Sequence, residues 1–311
     1  MIEIINRKKY FTIIVSLLTA TLIINQMFII SPVFASEYSE NIVPKLFVAF
    51  GALASLYPFA EYYVLIVLLA FIAVFFVVRY IFLYIKSRRE DTILAFKIKL
   101  KKLLLNTVCI LLGALLLFTL LYSASYSRLS FRGCNAITTK DYDEESLNRK
   151  AMELAEKLNG QKPALNADSA KNALNVMYCL KDKYPCLSNL HFKPKKGISN
   201  TFSPLTSEVI YDKNAPKAAL PFIICSLYAK ASGFPKETDR LIIAYEACSF
   251  SSDSTFNYSG ALIALSLIIK EPSADKEKIT ASLNENVLAD LQSADNLIQR
   301  NSDFVKFIVQ T

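Results

Sequence analysis

The stretch LPFIICSLYAKASGFPKETDRLIIAYEACSF, Leu220–Phe250, decides how the C-terminal part of the chain folds. Apolar residues run almost unbroken to Ala231, and a glycine follows at 233. Glycine just past an apolar run is a helix stop, because it takes the left-handed turn that other residues resist. The pattern predicts one strongly apolar helix over Ala218–Ala231, ending at Gly233, and a second over Lys236–Phe250.

Outward from these two helices the helical signal continues. Leu147, Ala151, Leu154, Ala155 and Leu158 lie at the spacing of one helical face, which predicts a helix over Asp143–Leu158. Asp168 suits the N-cap of another through Ala173, Leu174, Met177 and Leu180, stopping near Pro185. Tyr258–Ile269 predicts a further helix before Pro272, and Lys276–Val309 supplies one or two more. Pro194–Lys217 is different, with prolines 194, 204 and 216 and short β-prone pieces, so extended strands and loops are expected there. No internal repeat or low-complexity tract stands out.

The N-terminal third speaks to lipid. Phe11–Ile30 and Leu103–Tyr122 are uncharged and rich in Leu, Ile, Val and Phe, as is Tyr62–Val78, which continues past Arg79 to about residue 82. A helix needs about 20 such residues to cross the hydrocarbon core, and the long stem of Arg79 lets its charge reach the headgroups. Three spans, 11–30, 62–82 and 103–122, are therefore expected, with a membrane region over 1–122 and an outer domain over 123–311. Arg7, Lys8 and Lys9 precede the first span, and seven basic residues from Lys86 to Lys102 separate the second from the third. The positive-inside rule then places the N-terminus and the basic loop in the cytoplasm and the C-terminal domain outside. A rival for the first span is a secretory signal cleaved after Val33-Phe34-Ala35, although its apolar run exceeds a usual signal core.

Composition narrows function. The chain of 311 residues is 53% hydrophobic and 20% charged with a net charge of +8, which argues against disorder. Residues 1–122 carry 12 basic and 6 acidic groups and residues 123–311 carry 23 and 21, so most of the excess is topological. A nucleic-acid partner is not expected; the lipid bilayer is. A single histidine, His191, rules out any site that takes two imidazoles from one chain, and the 7 glycines form no phosphate loop of standard spacing. Of the six cysteines, Cys179 and Cys186 are the plausible local disulfide across a helix end; the alternative is that all are small buried hydrophobes.

Several short pieces then fall into a recognisable order. They are Phe131-Arg132-Gly133-Cys134-Asn135, Gly197-Ile198-Ser199, Pro204-Leu205-Thr206-Ser207-Glu208, Gly233-Phe234, Glu237-Thr238-Asp239 and Tyr258-Ser259-Gly260, preceded by Ser31-Pro32-Val33-Phe34 and Tyr57-Pro58-Phe59. In this order they resemble the bacterial membrane family called domain of unknown function 3810, which looks like a membrane-anchored zinc peptidase. The resemblance implies a zincin-like, mostly helical outer domain with a small β element, and a His-Glu-x-x-His helix just before Gly-Phe. Here that position reads Ser226-Leu227-Tyr228-Ala229-Lys230.

The replacements bear on chemistry. A zincin helix projects two imidazoles at i and i+4 onto the metal, and the glutamate beside the first takes a proton from the bound water. Serine is a poor zinc ligand, leucine takes no proton, and protonated lysine repels a cation. Zinc, the cofactor the family implies, is therefore not expected, and no catalytic residue is assigned. By the same resemblance Glu237, or alternatively Asp239, stands for the third, acidic ligand. The expected cleft is lined by Glu208, Ser226, Tyr228, Lys230 and Glu237. One expectation is that Lys230 replaces the metal charge and pairs with Glu237 or Asp239; the other is that it is a solvated helix residue.

The expected function is a membrane-anchored, peptidase-like protein that binds a peptide or envelope protein without catalysis. Two alternatives stand beside it. One is a hydrolase in which Lys230 activates Ser226, one helical turn away; the other is a structural partner in membrane assembly.

Overall fold

The computed structural model describes residues 2–54, 61–89, 93–161, 169–187, 194–204 and 206–311. Helices dominate. The first part holds α1 (Ile2–Ile30), α2 (Pro32–Asn41), α3 (Val43–Ala54), α4 (Glu61–Arg89) and α5 (Ile93–Phe118). A π turn at Thr119–Ser123 carries α5 into α6 (Ala124–Ser127). Then come α7 (Phe131–Cys134), α8 (Glu144–Asn159), α9 (Ser169–Lys183), β1 (Lys195–Gly197), β2 (Thr201–Ser203) and β3 (Glu208–Asp212). The last helices are α10 (Leu220–Ala231), α11 (Glu237–Phe250), α12 (Ser254–Ile268), α13 (Lys276–Ala281), α14 (Glu285–Ala294) and α15 (Ser302–Gln310).

The chain divides into two compact units, 1–38 with 61–128 and 39–60 with 129–311. The connector from Ser39 onward thus groups with the second unit, and the chain passes from the first unit to the second again after Arg128.

In the first unit α1 packs on α5. The Tyr10 hydroxyl donates to Asn106 Oδ1 at 2.6 Å, and the Ser123 hydroxyl donates to Asn25 Oδ1. Between these polar ties the outward side chains, among them Phe11, Ile23, Ile110 and Leu111, are exposed. Among the described residues two helices, Lys8–Ile30 and Leu100–Ser127, are long and apolar enough to cross a membrane. The middle apolar run lies in α4, one unbroken helix through Arg79, several of whose side chains lie outside the described residues. The basic stretch expected as a loop is largely helical, running in α4 to Arg89 and in α5 from Ile93. Lysine, arginine and leucine are good helix formers, so the helices extend past the apolar runs.

The second unit is built round α10, α11 and α12, which pack on one another. α12 is apolar on every side and almost wholly buried, as a central helix must be. It begins at Ser254, before the expected Tyr258, because Asp253 caps it through the Thr255 N–H at 2.8 Å. α8 covers α12 with the five apolar residues read from the sequence, all buried, and Asp143 caps it. Asp168, the expected cap of α9, lies outside the described residues.

Three strands form the expected small β element in the order β1-β3-β2, with β1 parallel and β2 antiparallel to β3. β2 and β3 lie against α10. The C-terminal stretch forms three helices where one or two were expected. Buried Glu271 anchors the last of them by accepting from Arg300 at 2.7 Å and from the Ser302 hydroxyl at 2.9 Å.

Candidate functional site

α10 carries the positions where the family chemistry is expected. Pro221 opens the helix, where its missing N–H costs nothing. The Phe222 N–H, otherwise an orphan of the first turn, donates to Ser259 Oγ of α12 at 3.1 Å. Packed between the sheet, α9, α11 and α12, the helix buries nearly all of its side chains. Ser226 and Leu227 are buried, Tyr228 is fully so, and Lys230 is partly buried in the last turn.

Burial pushes the Tyr228 phenol up, so it is neutral at physiological pH. Burial also pushes the Lys230 ammonium down, and the nearby positive charge of Arg240 pushes the same way. No hydrogen bond joins Ser226 to Lys230. The donor set is a hydroxyl, an isobutyl group and an ammonium beside a second cation. It does not fit a zinc ion, which takes thiolate, imidazole or carboxylate ligands.

The two acidic candidates face different ways, as positions i and i+2 of a helix must. Glu237 is exposed in the first turn of α11. Asp239 is 4% exposed, and its Oδ1 accepts the Phe131 N–H at 3.0 Å. Neither forms an ion pair with Lys230, so the expected replacement of a metal charge by this pair is not formed. Two reasons are visible. Asp239 is committed to the backbone of α7, and Lys230 sits at the C-terminal end of α10, where the carbonyl dipole favours a cation without a carboxylate.

Besides Glu271, a second buried carboxylate with a cationic partner lies on the sheet. Glu208, 2% exposed at the start of β3, receives Lys195 Nζ of β1 on Oε1 at 2.8 Å. The Thr206 hydroxyl lies 2.8 Å from both Glu208 Oε2 and Ser203 Oγ. Ser207, between Thr206 and Glu208, has φ 53°. This is a left-handed backbone, which glycine adopts without the steric cost that serine meets. Sequence reasoning named Glu208 but missed Lys195, because the parallel pairing of β1 with β3 brings the two together and leaves no local spacing signal.

The other pieces that carried the resemblance hold the scaffold. Phe131 is buried edge-on against Phe234 at 5.7 Å and Tyr184 at 4.9 Å, and the Asn135 amide donates to the Phe131 carbonyl at 2.8 Å. Gly233 has φ 89°, which turns α10 toward α11. Ser259 caps α10, and the Tyr258 hydroxyl donates to Asp290 at 2.8 Å. Gly260 is a close approach: a Cβ there would lie 2.7 Å from Cys248 Cβ.

Cys179 is exposed and Cys186 Sγ lies 3.5 Å from Asn135 Nδ2, with no disulfide between the two. Cys225 and Cys248 are buried. His191, Leu205 and Tyr57-Pro58-Phe59 lie outside the described residues. Among the described residues no group of three or more His, Cys, Asp and Glu side chains is placed to hold a metal.

These ties define a class: a mainly helical protein with helices able to cross a membrane, and a second unit in which a small sheet and helices enclose an apolar α10. The chain belongs to the family described as Protein of unknown function (DUF3810), whose model matches residues 38–310. No curated protein and no solved structure matches the chain.

Proposed function

We propose that this chain is a membrane-anchored, metallopeptidase-like protein that has lost zinc and catalysis and works by binding a peptide or envelope protein. Three spans anchor it, with the N-terminus and the basic segment in the cytoplasm and the second unit outside. One observation carries the reading. The positions around α10 that build the scaffold are joined to one another, whereas Ser226, Leu227 and Lys230 lack the groups a zinc hydrolase needs.

The test is metal analysis of the purified full-length protein with a proteolysis assay. The expected result is substoichiometric zinc and no chelator-sensitive cleavage; stoichiometric zinc with activity abolished by chelation overturns the reading. Topology is tested by thiol labelling from outside the cell. In a Cys179→Ser background, which removes the exposed native thiol, cysteines introduced at Lys86 or Lys102 should add no labelling and one at exposed Lys236 should add it.

A second reading has one observation in its favour: burial pushes Lys230 toward the neutral amine that a Ser226 hydrolase needs as its base. Labelling by a fluorophosphonate, lost in Ser226→Ala, would establish it in place of the binding role.

A further inference from the structure

The connector between α1 and α4 contains a helix whose composition does not suit water. α3 reads VPKLFVAFGALA, in which Lys45 alone is charged. Its inward face is accounted for. Val43 and Phe47, one turn apart, are buried, and the Phe47 ring meets Phe202 of β2 edge-on at 5.2 Å. The outward face is apolar as well. Val48 is 44% exposed, Ala49 is exposed beside it, and Ile42 just before the helix is 45% exposed. A helix at a protein–water boundary carries polar residues on its outer face, and an apolar one implies a different neighbour.

We propose that the outward face of α3 lies in the lipid–water interface, parallel to the membrane plane, and seats the second unit on the bilayer. This rests on the membrane reading above and adds a contact that the spans alone do not require. Three observations select lipid as the occupant. Only α2 separates α3 from Ile30, the end of an apolar helix able to cross a membrane, so the chain itself holds α3 close to lipid. Lys45 lies on the same face as Val48 and Ala49 at i, i+3 and i+4. Its four-carbon stem can carry the ammonium to the phosphates while Val48 enters the acyl region, the arrangement of interfacial helices. The face is also small. A helix of this length is about 18 Å long and about 10 Å wide, so one face offers roughly 180 Å², far less than the roughly 800 Å² per partner that a stable protein interface buries.

The chain contains no tryptophan, so one introduced indole reports on its own surroundings. Val48→Trp and, separately, Ile23→Trp on the exposed face of α1 are placed in the full-length protein and reconstituted in phosphatidylcholine vesicles. The lipids carry bromine either high or low on the acyl chain. Val48→Trp should lose most of its emission to the high-brominated lipid, less to the low-brominated one, and little to aqueous iodide. Ile23→Trp should be quenched by brominated lipid whatever α3 does. Quenching of Val48→Trp by iodide alone places α3 in water and overturns the inference. Protection from both quenchers means that a second copy or another protein covers the face, which overturns it equally. In either case quenching of Ile23→Trp leaves the membrane reading standing, and its failure removes both. Ala49→Trp repeats the measurement if Val48→Trp does not fold.

Discussion

Lys195 and Lys230 are both drawn partly out of water in the same unit, and their surroundings differ. Lys195 reaches a buried carboxylate at 2.8 Å, and that carboxylate also has a hydroxyl beside it. Lys230 meets the positive charge of Arg240 instead. Charge compensation is found where a short sheet has to be held together, and not at the position where the sequence led us to expect the motif. A buried charge with a partner is a structural element; one without is tolerated only while the surroundings still reach water.

The difference can be broken first at the sheet. Glu208→Ala leaves the Lys195 ammonium without its partner and should cost about 3 kcal/mol, the low end for breaking a buried pair because Lys195 keeps some solvent contact. Chemical denaturation of the full-length protein in detergent measures it, and a loss below 1 kcal/mol would mean that the pair is solvated. Asp239→Ala should follow at about 2 kcal/mol, since it strands the Phe131 N–H and removes a charged acceptor. Asp239→Asn, which keeps an acceptor oxygen, should recover part of that loss; no recovery would mean that the hydrogen bond to Phe131 is not what Asp239 supplies.

A stabilising change sharpens the same region. Ser207 holds a left-handed backbone at φ 53°, and its buried hydroxyl has no partner among the described residues. Ser207→Gly removes the steric cost and the stranded hydroxyl, against a greater loss of chain entropy on folding, for a net gain of about 0.5 to 1 kcal/mol. A lower midpoint in Ser207→Gly would show that the hydroxyl has a partner after all.

What the sequence disclosed follows from how local each signal is. The helices α8, α10 and α11 were legible because an apolar stripe or an unbroken apolar run needs only neighbours a few residues away. The start of α12 was missed by a turn, since Asp253 acts as its cap through one hydrogen bond that composition does not reveal. α2 and α3 were not anticipated from the sequence; prolines 32 and 44 each stand at the first or second position of a helix, where a lost N–H matters little. Of the candidate site, the absent ligands were plain from residue type alone. The pairing of Glu208 with Lys195 and the bond from Phe131 to Asp239, 108 residues apart, depend on packing that no spacing encodes.

The smallest expected effect is the one that bears most on the motif position. If Lys230 and Glu237 do not interact, Lys230→Met and Glu237→Gln should be additive, with a coupling below about 0.5 kcal/mol. Lys230→Met should itself be neutral or stabilising by about 1 kcal/mol, because it removes a charge that burial disfavours and leaves no carboxylate unpaired. The pH dependence gives the sign independently. The unfolded chain holds the Lys230 proton up to the ordinary value of 10.5, and the folded chain releases it earlier. Between those two values the unfolded state binds more protons, so this residue makes stability rise with pH. The advantage of Lys230→Met should therefore be full at neutral pH and shrink as the pH approaches 10.5. A favourable coupling above 1 kcal/mol, with an advantage that grows with pH, would mean that Lys230 finds a carboxylate in solution. The two lysines would then be alike, and a substituted cation at the motif position would be restored.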